Sequence, residues 1–188
     1  AAGGAALGAA LSGARRLRSL HLYENMLGDE GLVPLVEPLG ALGDSLEELF
    51  LGYNALYSSG VAALAAKWEE NPETEFPVVD HTGRTTDVGR AQLAKRQLAL
   101  RRLDLSGNRI GNDGVEHLGR CLRTSLRNLR VLALSANPIG GDGAVERLLV
   151  ELAPMNALEA VQLESNPLTD DDLRALAIAL EADAHVCA

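Results

Sequence analysis

A chain of 188 residues with 47% hydrophobic content is long enough for one domain or one short repeat array with a real core. Aromatic residues make up only 3%, so that core has to be built from Leu, Ala and Val, which suits thin stacked layers better than one large centre. The net charge of −9 argues against a nucleic-acid binder, since phosphate contact needs a basic face, and no stretch approaches the roughly 20 apolar residues of a membrane helix. Neither a nucleic-acid partner nor membrane insertion is therefore expected.

The chain opens on Ala1–Ala14, which has no charged lead followed by a continuous apolar run and so is a poor signal peptide. Within it Ala5–Leu11 predicts a helix, and residues 1–16 read as the helical end of a repeat whose strand is missing. From Leu17 a pattern sets in that returns along the chain. Its anchors are Asn25, Asn54, Asn108, Asn137 and Asn166, spaced by 29, 54, 29 and 29 residues. Three residues before each anchor stand Leu22, Leu51, Leu105, Leu134 and Leu163, and five before stand Leu20, Leu49, Leu103, Leu132 and Val161. Leu17, Leu46, Leu100, Leu129 and Leu158 stand eight before, and Leu27, Leu56, Ile110, Ile139 and Leu168 two after. Alternation with period two sends both residues of each L-x-L pair into the core of a short strand. The Asn amide is placed to hydrogen-bond backbone that turns out of the strand and would otherwise be buried unpaired.

Six residues after the anchor come Gly31, Gly60, Gly114 and Gly143, broken by Asp172, where a positive φ or a close approach is expected. Helical spacing follows: Leu32, Leu35 and Leu39; Val61, Leu64 and Trp68; Val115, Leu118 and Leu122; Leu173, Leu176 and Leu180. Cys121 joins the third of these faces as a small buried thiol, and Trp68 reads as packing. Pro34 and Pro38 fall inside the first of these helices, which predicts a short or kinked one. Asp29, Asp113, Asp142 and Asp170 suit N-cap or first-turn positions. The triplet Asp170-Asp171-Asp172 lacks the alternating spacing of a calcium loop and reads as helix initiation.

The array is thus one unit over residues 1–188, divided as 17–45, 46–72, 73–99, 100–128, 129–157 and 158–188, about six repeats. The third is degenerate: Phe76, Val78 and His81 stand for the L-x-L-x-x-N core, which splits the 54-residue interval into two steps of 27, and Asp87–Leu98 supplies its helix. Pro77 would cost that strand a ladder bond. Two accounts stay open, simple divergence of one repeat or a linker over residues 69–86 that bulges out toward a partner. Solenoid ends need polar caps and neither end offers one, so the sequence reads as part of a longer chain, or as one whose ends are covered in an assembly.

The runs LRRLDLSGNRIGNDGVEHL and LRVLALSANPIGGDG closely resemble the ribonuclease-inhibitor-like subclass of leucine-rich repeats. The resemblance implies an α/β solenoid, a curved horseshoe with parallel strands on the concave face and helices on the convex face. It fits ribonuclease inhibitors, nucleotide-dependent immune sensors, Ran GTPase-activating proteins, actin-filament cappers and ciliary axoneme components alike, so function has to come from the residues. The expectation is a protein-interaction scaffold, a structural or recognition subunit of a larger intracellular assembly. The alternatives are a regulator of a small GTPase and the ligand-sensing repeats of a nucleotide-dependent sensor. Two distant cysteines, Cys121 and Cys187, make no disulfide framework and point to a reduced, cytoplasmic setting, with a ciliary or other large-assembly location also open.

No enzyme is read here. His21, His81, His117 and His185 occur singly, and there is no phosphate loop, dinucleotide fingerprint or nucleophile elbow, so no catalytic residue, cofactor or metal is assigned. What remains is the outward face of the strands. Its first rows are Ser19, His21, Tyr23 and Glu24, then Glu48, Phe50, Gly52 and Tyr53, then Arg102, Asp104, Ser106 and Gly107. Three of the six Phe, Trp and Tyr residues, Tyr23, Phe50 and Tyr53, fall on adjacent outward positions. Aromatic anchors ringed by acids resemble a binding hot spot, so His21, Tyr23, Glu24, Glu48, Phe50, Tyr53, Arg102 and Asp104 are the expected partner-binding residues. A smoother patch follows at Val131, Ala133, Ala136 and Ala160. Charge is uneven too: residues 84–130 carry 11 basic and 4 acidic side chains between two acidic flanks.

Overall fold

A computed structural model describes residues 2–70 and 97–184. Strands and helices alternate through them: α1 (Ala2–Leu11), β1 (Ser19–His21), α2 (Gly28–Ala41), β2 (Glu48–Phe50), α3 (Ser58–Glu69), β3 (Arg102–Asp104), α4 (Asn112–Ser125), β4 (Val131–Ala133), α5 (Ala144–Leu152), β5 (Ala160–Gln162) and α6 (Asp170–Ala184). The strands form one parallel sheet in chain order, with Leu20, Leu49, Leu103, Leu132 and Val161 in register across it. Leu49, Leu51, Leu103, Leu105, Leu132 and Leu134 are fully buried, each contributing roughly 1.5–3 kcal/mol. Strands sit about 4.8 Å apart and packed helices 8–10 Å apart, so the helical layer fans out and the sheet becomes the inner, concave surface. The fold is a leucine-rich-repeat solenoid.

A ladder of asparagines ties the repeats together. Asn108 is buried; its Oδ1 accepts the N–H groups of Asn54 and Leu56, both at 3.0 Å. Its Nδ2 donates to the carbonyls of Leu51 (3.1 Å), Leu105 (2.8 Å) and Ser106 (3.3 Å). Asn54, Asn137 and Asn166 repeat the arrangement, each accepting from the repeat before it and donating both to that repeat and to its own strand. Backbone groups that the turn would strand without water are satisfied this way.

Several expectations are corrected. β2 pairs directly with β3, Glu48 opposite Arg102, and Asn54 bonds directly to Asn108, so no strand of a degenerate sixth repeat stands between them. Among the described residues the sheet has five strands. Phe76, Pro77, Val78 and His81, and all but the end of Asp87–Leu98, lie outside the described residues, as do His185 and Cys187. α2 runs unbroken for 14 residues through Pro34 and Pro38. The carbonyl of Pro34, which Pro38 cannot engage, is turned to the backbone of Gly8 in α1, and a side chain at Gly8 would collide with it. Of the two roles expected for the glycines six after the anchor, a positive φ holds only at Gly143 and a close approach at Gly60 and Gly114. Gly60 and Gly114 admit the neighbouring helix, Gly60 against Asp29 and Gly114 against Ser58.

Asp29 stands in the first turn of its own helix, as expected, but its carboxylate serves the next one. From the first turn of α2 it accepts the N–H groups of Tyr57 and Gly60 (both 2.9 Å) and the hydroxyl of Ser59 at the start of α3. Asp142 lies in the loop before α5 with a φ of 50°. Leu173, expected in the core, is 53% exposed because no described helix packs beyond α6. The buried first-turn residue there is Asp172, whose carboxylate accepts from Gly141 N (2.7 Å), Thr169 N (2.8 Å) and Thr169 Oγ1 (2.7 Å). Burial pushes its pKa up, but those three donors outweigh it and hold the carboxyl below its ordinary value.

Candidate functional site

The side chains that alternate with the buried leucines stand in columns across the sheet. In-register pairing sets Ser19, Glu48, Arg102, Val131 and Ala160 side by side, and His21, Phe50, Asp104, Ala133 and Gln162 beside them. Neighbours in a column are one strand spacing apart, close enough for rings to touch. The His21 ring stacks on Phe50 with centroids 4.2 Å apart and planes at 28°, and the Arg102 guanidinium carbon lies 5.4 Å from the Phe50 centroid on the next strand. Ser19 Oγ donates to Glu48 Oε2 (2.8 Å) and meets His21 Nε2 at 2.9 Å, so serine, histidine and glutamate form one polar cluster beside the rings.

Tyr23 and Tyr53 make a second pair, with centroids 5.1 Å apart and planes at 51°. Each ring lies over the backbone of the repeat that follows. A side chain at Gly52 would fall 2.7 Å from the Tyr23 ring, and one at Gly107 2.6 Å from the Tyr53 ring. The glycines are what let the tyrosines lie down, leaving Tyr23 46% and Tyr53 45% exposed. Tyr53 does so from a left-handed backbone, φ 54°, and Glu24, Ala136, Ser165 and Gly107 share that conformation one residue before their asparagines. For a bulky side chain such a φ is costly.

The electrostatics of this surface are acidic. Desolvation first, then the charges of Tyr53, Asp104 and Glu24, hold the Tyr23 phenol above its ordinary range. Asp104 Oδ1 accepts the N–H of Ser106 at 2.9 Å. Further along the sheet Glu164 accepts the hydroxyl of Ser135, which lowers its pKa.

The eight expected partner-binding residues lie on the first three strands and the turns that follow the first two: His21 stacked on Phe50 beside Glu48, Arg102 over Phe50, Tyr23 against Tyr53, and Glu24 and Asp104 acting on the Tyr23 phenol by their charge. Val131 and Ala160 are half-buried on the later strands, and Ala133 is buried. The sequence reading missed Tyr57 and Arg109. Arg109 Nη1 donates to the Tyr57 hydroxyl and its guanidinium carbon lies 5.4 Å from the ring centroid, extending the aromatic surface over the rim. The signal was the third aromatic in FLGYNALY, which falls in the loop and so outside the strand alternation that was searched.

Among the described residues no group of three or more His, Cys, Asp or Glu is placed to hold a metal ion, and no helix is long and apolar enough to cross a membrane. A family model for the leucine-rich repeat matches residues 15–36, 99–119 and 125–146. A search of curated proteins found no match. Five in-register strands, the asparagine ladder and three matched repeats agree on a leucine-rich-repeat solenoid.

Proposed function

We propose that the protein is an interaction scaffold, a structural or recognition subunit that holds a protein partner on the concave face over its first three strands. The observation that carries this reading is the placement of Tyr53. A bulky ring sits on a residue with φ 54°, lies flat on Gly107 and stays half exposed, although the same position in the next repeat is glycine. Glycine would remove the strain at Tyr53, so the ring is retained at a cost to stability, and strained exposed side chains concentrate at binding sites. Large rigid rings are also the side chains on which interfaces depend most.

The test uses photo-crosslinking residues in the full-length protein in its own cells, placed at Ser19 and Ser106 on the first three repeats of the sheet face and at Arg147 on a helix. The sheet positions should capture a discrete protein, and the helix position should not. Phe50→Ala with Tyr53→Gly should weaken that complex by at least about 2 kcal/mol while the fold is kept. Capture from the helix position alone, or undiminished binding by the double variant, overturns the proposal.

A further inference from the structure

Several acids at the leading edge of the sheet and on the helices are paired: Arg18 Nη1 lies 2.9 Å from Glu47, Arg130 Nη1 2.8 Å from Glu159, Arg123 Nε 2.8 Å from Glu151, and Lys67 Nζ 2.8 Å from both Glu37 and Glu70. A polar hollow of about 410 Å³ at that leading edge is lined by Glu47, Arg101 and Arg130 and so carries both signs. Over the concave face the pattern changes. Among the described residues, Glu24, Glu48, Asp104 and Glu164 have no Arg, Lys or His nitrogen within ion-pair distance. Arg102, the one Arg or Lys among the expected site residues, is laid over Phe50 and forms no ion pair among the described residues.

Glu24 follows Tyr23 in the chain and Asp104 stands opposite Phe50 on β3, and the charges of both help to hold the Tyr23 phenol above its ordinary range. In this acidic setting lie two tyrosine rings whose inner sides are filled by Gly52 and Gly107 and which remain half exposed to solvent. A ring face attracts a cation through its quadrupole, and the attraction grows when carboxylates stand beside it. The molecule uses the same chemistry internally, with Arg102 over Phe50 and Arg109 over Tyr57, both at 5.4 Å. A planar guanidinium fits this environment better than an ammonium, because it stacks on a ring and bonds a carboxylate with its edge at the same time.

We infer that the concave face takes an arginine side chain of a basic partner segment, stacked on Tyr23 and Tyr53 with Glu24 and Asp104 as its counterions. This rests on the concave face being the interaction surface, and it specifies the chemistry of what sits there.

Isothermal titration of the full-length protein with a capped oligoarginine peptide, at low and physiological salt, tests it. Saturable binding is expected, stronger than to oligolysine, absent for oligoglutamate or a neutral Gly-Ser peptide, and weakened as salt screens the carboxylates. Glu24→Gln with Asp104→Asn, which keeps an acceptor for the Ser106 amide, should weaken binding by at least about tenfold, and Tyr23→Ala by a similar factor. Glu116→Gln with Glu146→Gln removes the same charge from the helices and should leave binding unchanged. Equal losses in the two double variants would mean non-specific attraction to an acidic protein, and equal binding of the neutral peptide would mean a merely apolar surface; either overturns the inference. If captured partners persist on the concave face in Glu24→Gln/Asp104→Asn but are lost in Phe50→Ala/Tyr53→Gly, the interaction surface stands and the arginine assignment falls.

Discussion

The residue before each repeat asparagine carries a positive φ, between 54° and 64°, whether it is Glu24, Tyr53, Gly107, Ala136 or Ser165. The conformation belongs to the turn and not to the side chain, since the backbone must reverse there before the asparagine reaches into its ladder. A non-glycine residue in it costs roughly 1–2 kcal/mol, while glycine costs roughly 0.5–1 kcal/mol more in unfolded-chain entropy. Ala136 is the clean case, because its methyl makes neither a ring platform nor a polar contact. Ala136→Gly should raise unfolding stability by about 0.5–1 kcal/mol, read as a higher urea midpoint at unchanged slope. No gain would mean that the turn is relaxed, and the case for a costly Tyr53 would weaken with it. The strand alternation of the sequence already put Tyr23, Phe50 and Tyr53 on one surface. It could not show that the rings lie on Gly52 and Gly107, because that depends on how far each side chain leans toward the next repeat.

Elements in this fold are finished by their neighbours. The first turn of α3 is capped from α2 by Asp29, and the N–H of Gly111 at the start of α4 is met at 3.1 Å by Ser58 Oγ from α3. The sequence places Asp29 in the first turn of α2, where it is found, but hides the donors some 30 residues away that its carboxylate engages. The prolines of α2 follow the same logic. Proline inside a helix removes a bond and breaks an isolated one, yet α2 stays whole because α1 presses glycine backbone against the carbonyl that Pro38 leaves open. That contact makes a prediction of opposite signs. Gly3 faces open space, so Gly3→Ala should stabilise by up to about 1 kcal/mol through helix propensity. Gly8→Ala gains the same propensity but drives a methyl into the Pro34 carbonyl, and should destabilise by about 1–3 kcal/mol. Thermal unfolding of both variants decides; stabilisation by Gly8→Ala would show that α1 does not seal α2.

On the scale of the whole molecule, the repeat is plain in the sequence because five copies share their apolar offsets, whereas the 54-residue interval admits either a diverged repeat or an outward linker. Phe76, Val78 and His81 stand for L-x-L-x-x-N only if that interval is taken as two whole repeats. The sheet is decided by hydrogen bonds instead. Leu51 N bonds Asp104 O at 2.8 Å, Tyr53 N bonds Ser106 O at 2.8 Å, and α3 packs on α4. Leu98 and Leu100, both buried, already complete the approach to β3, with Leu98 N bonded to Ser125 O at 2.9 Å. The solenoid therefore needs only a short connection between Glu70 and Gln97. Deleting residues 72–96 shortens the Asn54–Asn108 interval from 54 to 29 residues, the step of the other repeats. Closing a shorter loop costs less entropy, and each halving returns only about 0.6 kcal/mol. The shortened protein should keep its circular dichroism spectrum and a single cooperative unfolding transition, with stability changed by no more than about 1 kcal/mol. Loss of cooperative unfolding would mean that the deleted residues hold part of the core, and would restore a sixth structural repeat. Tyr23, Tyr53, Glu24 and Asp104 lie on strands and turns that the deletion leaves joined as before. Oligoarginine binding by the shortened protein should accordingly match that of the full chain.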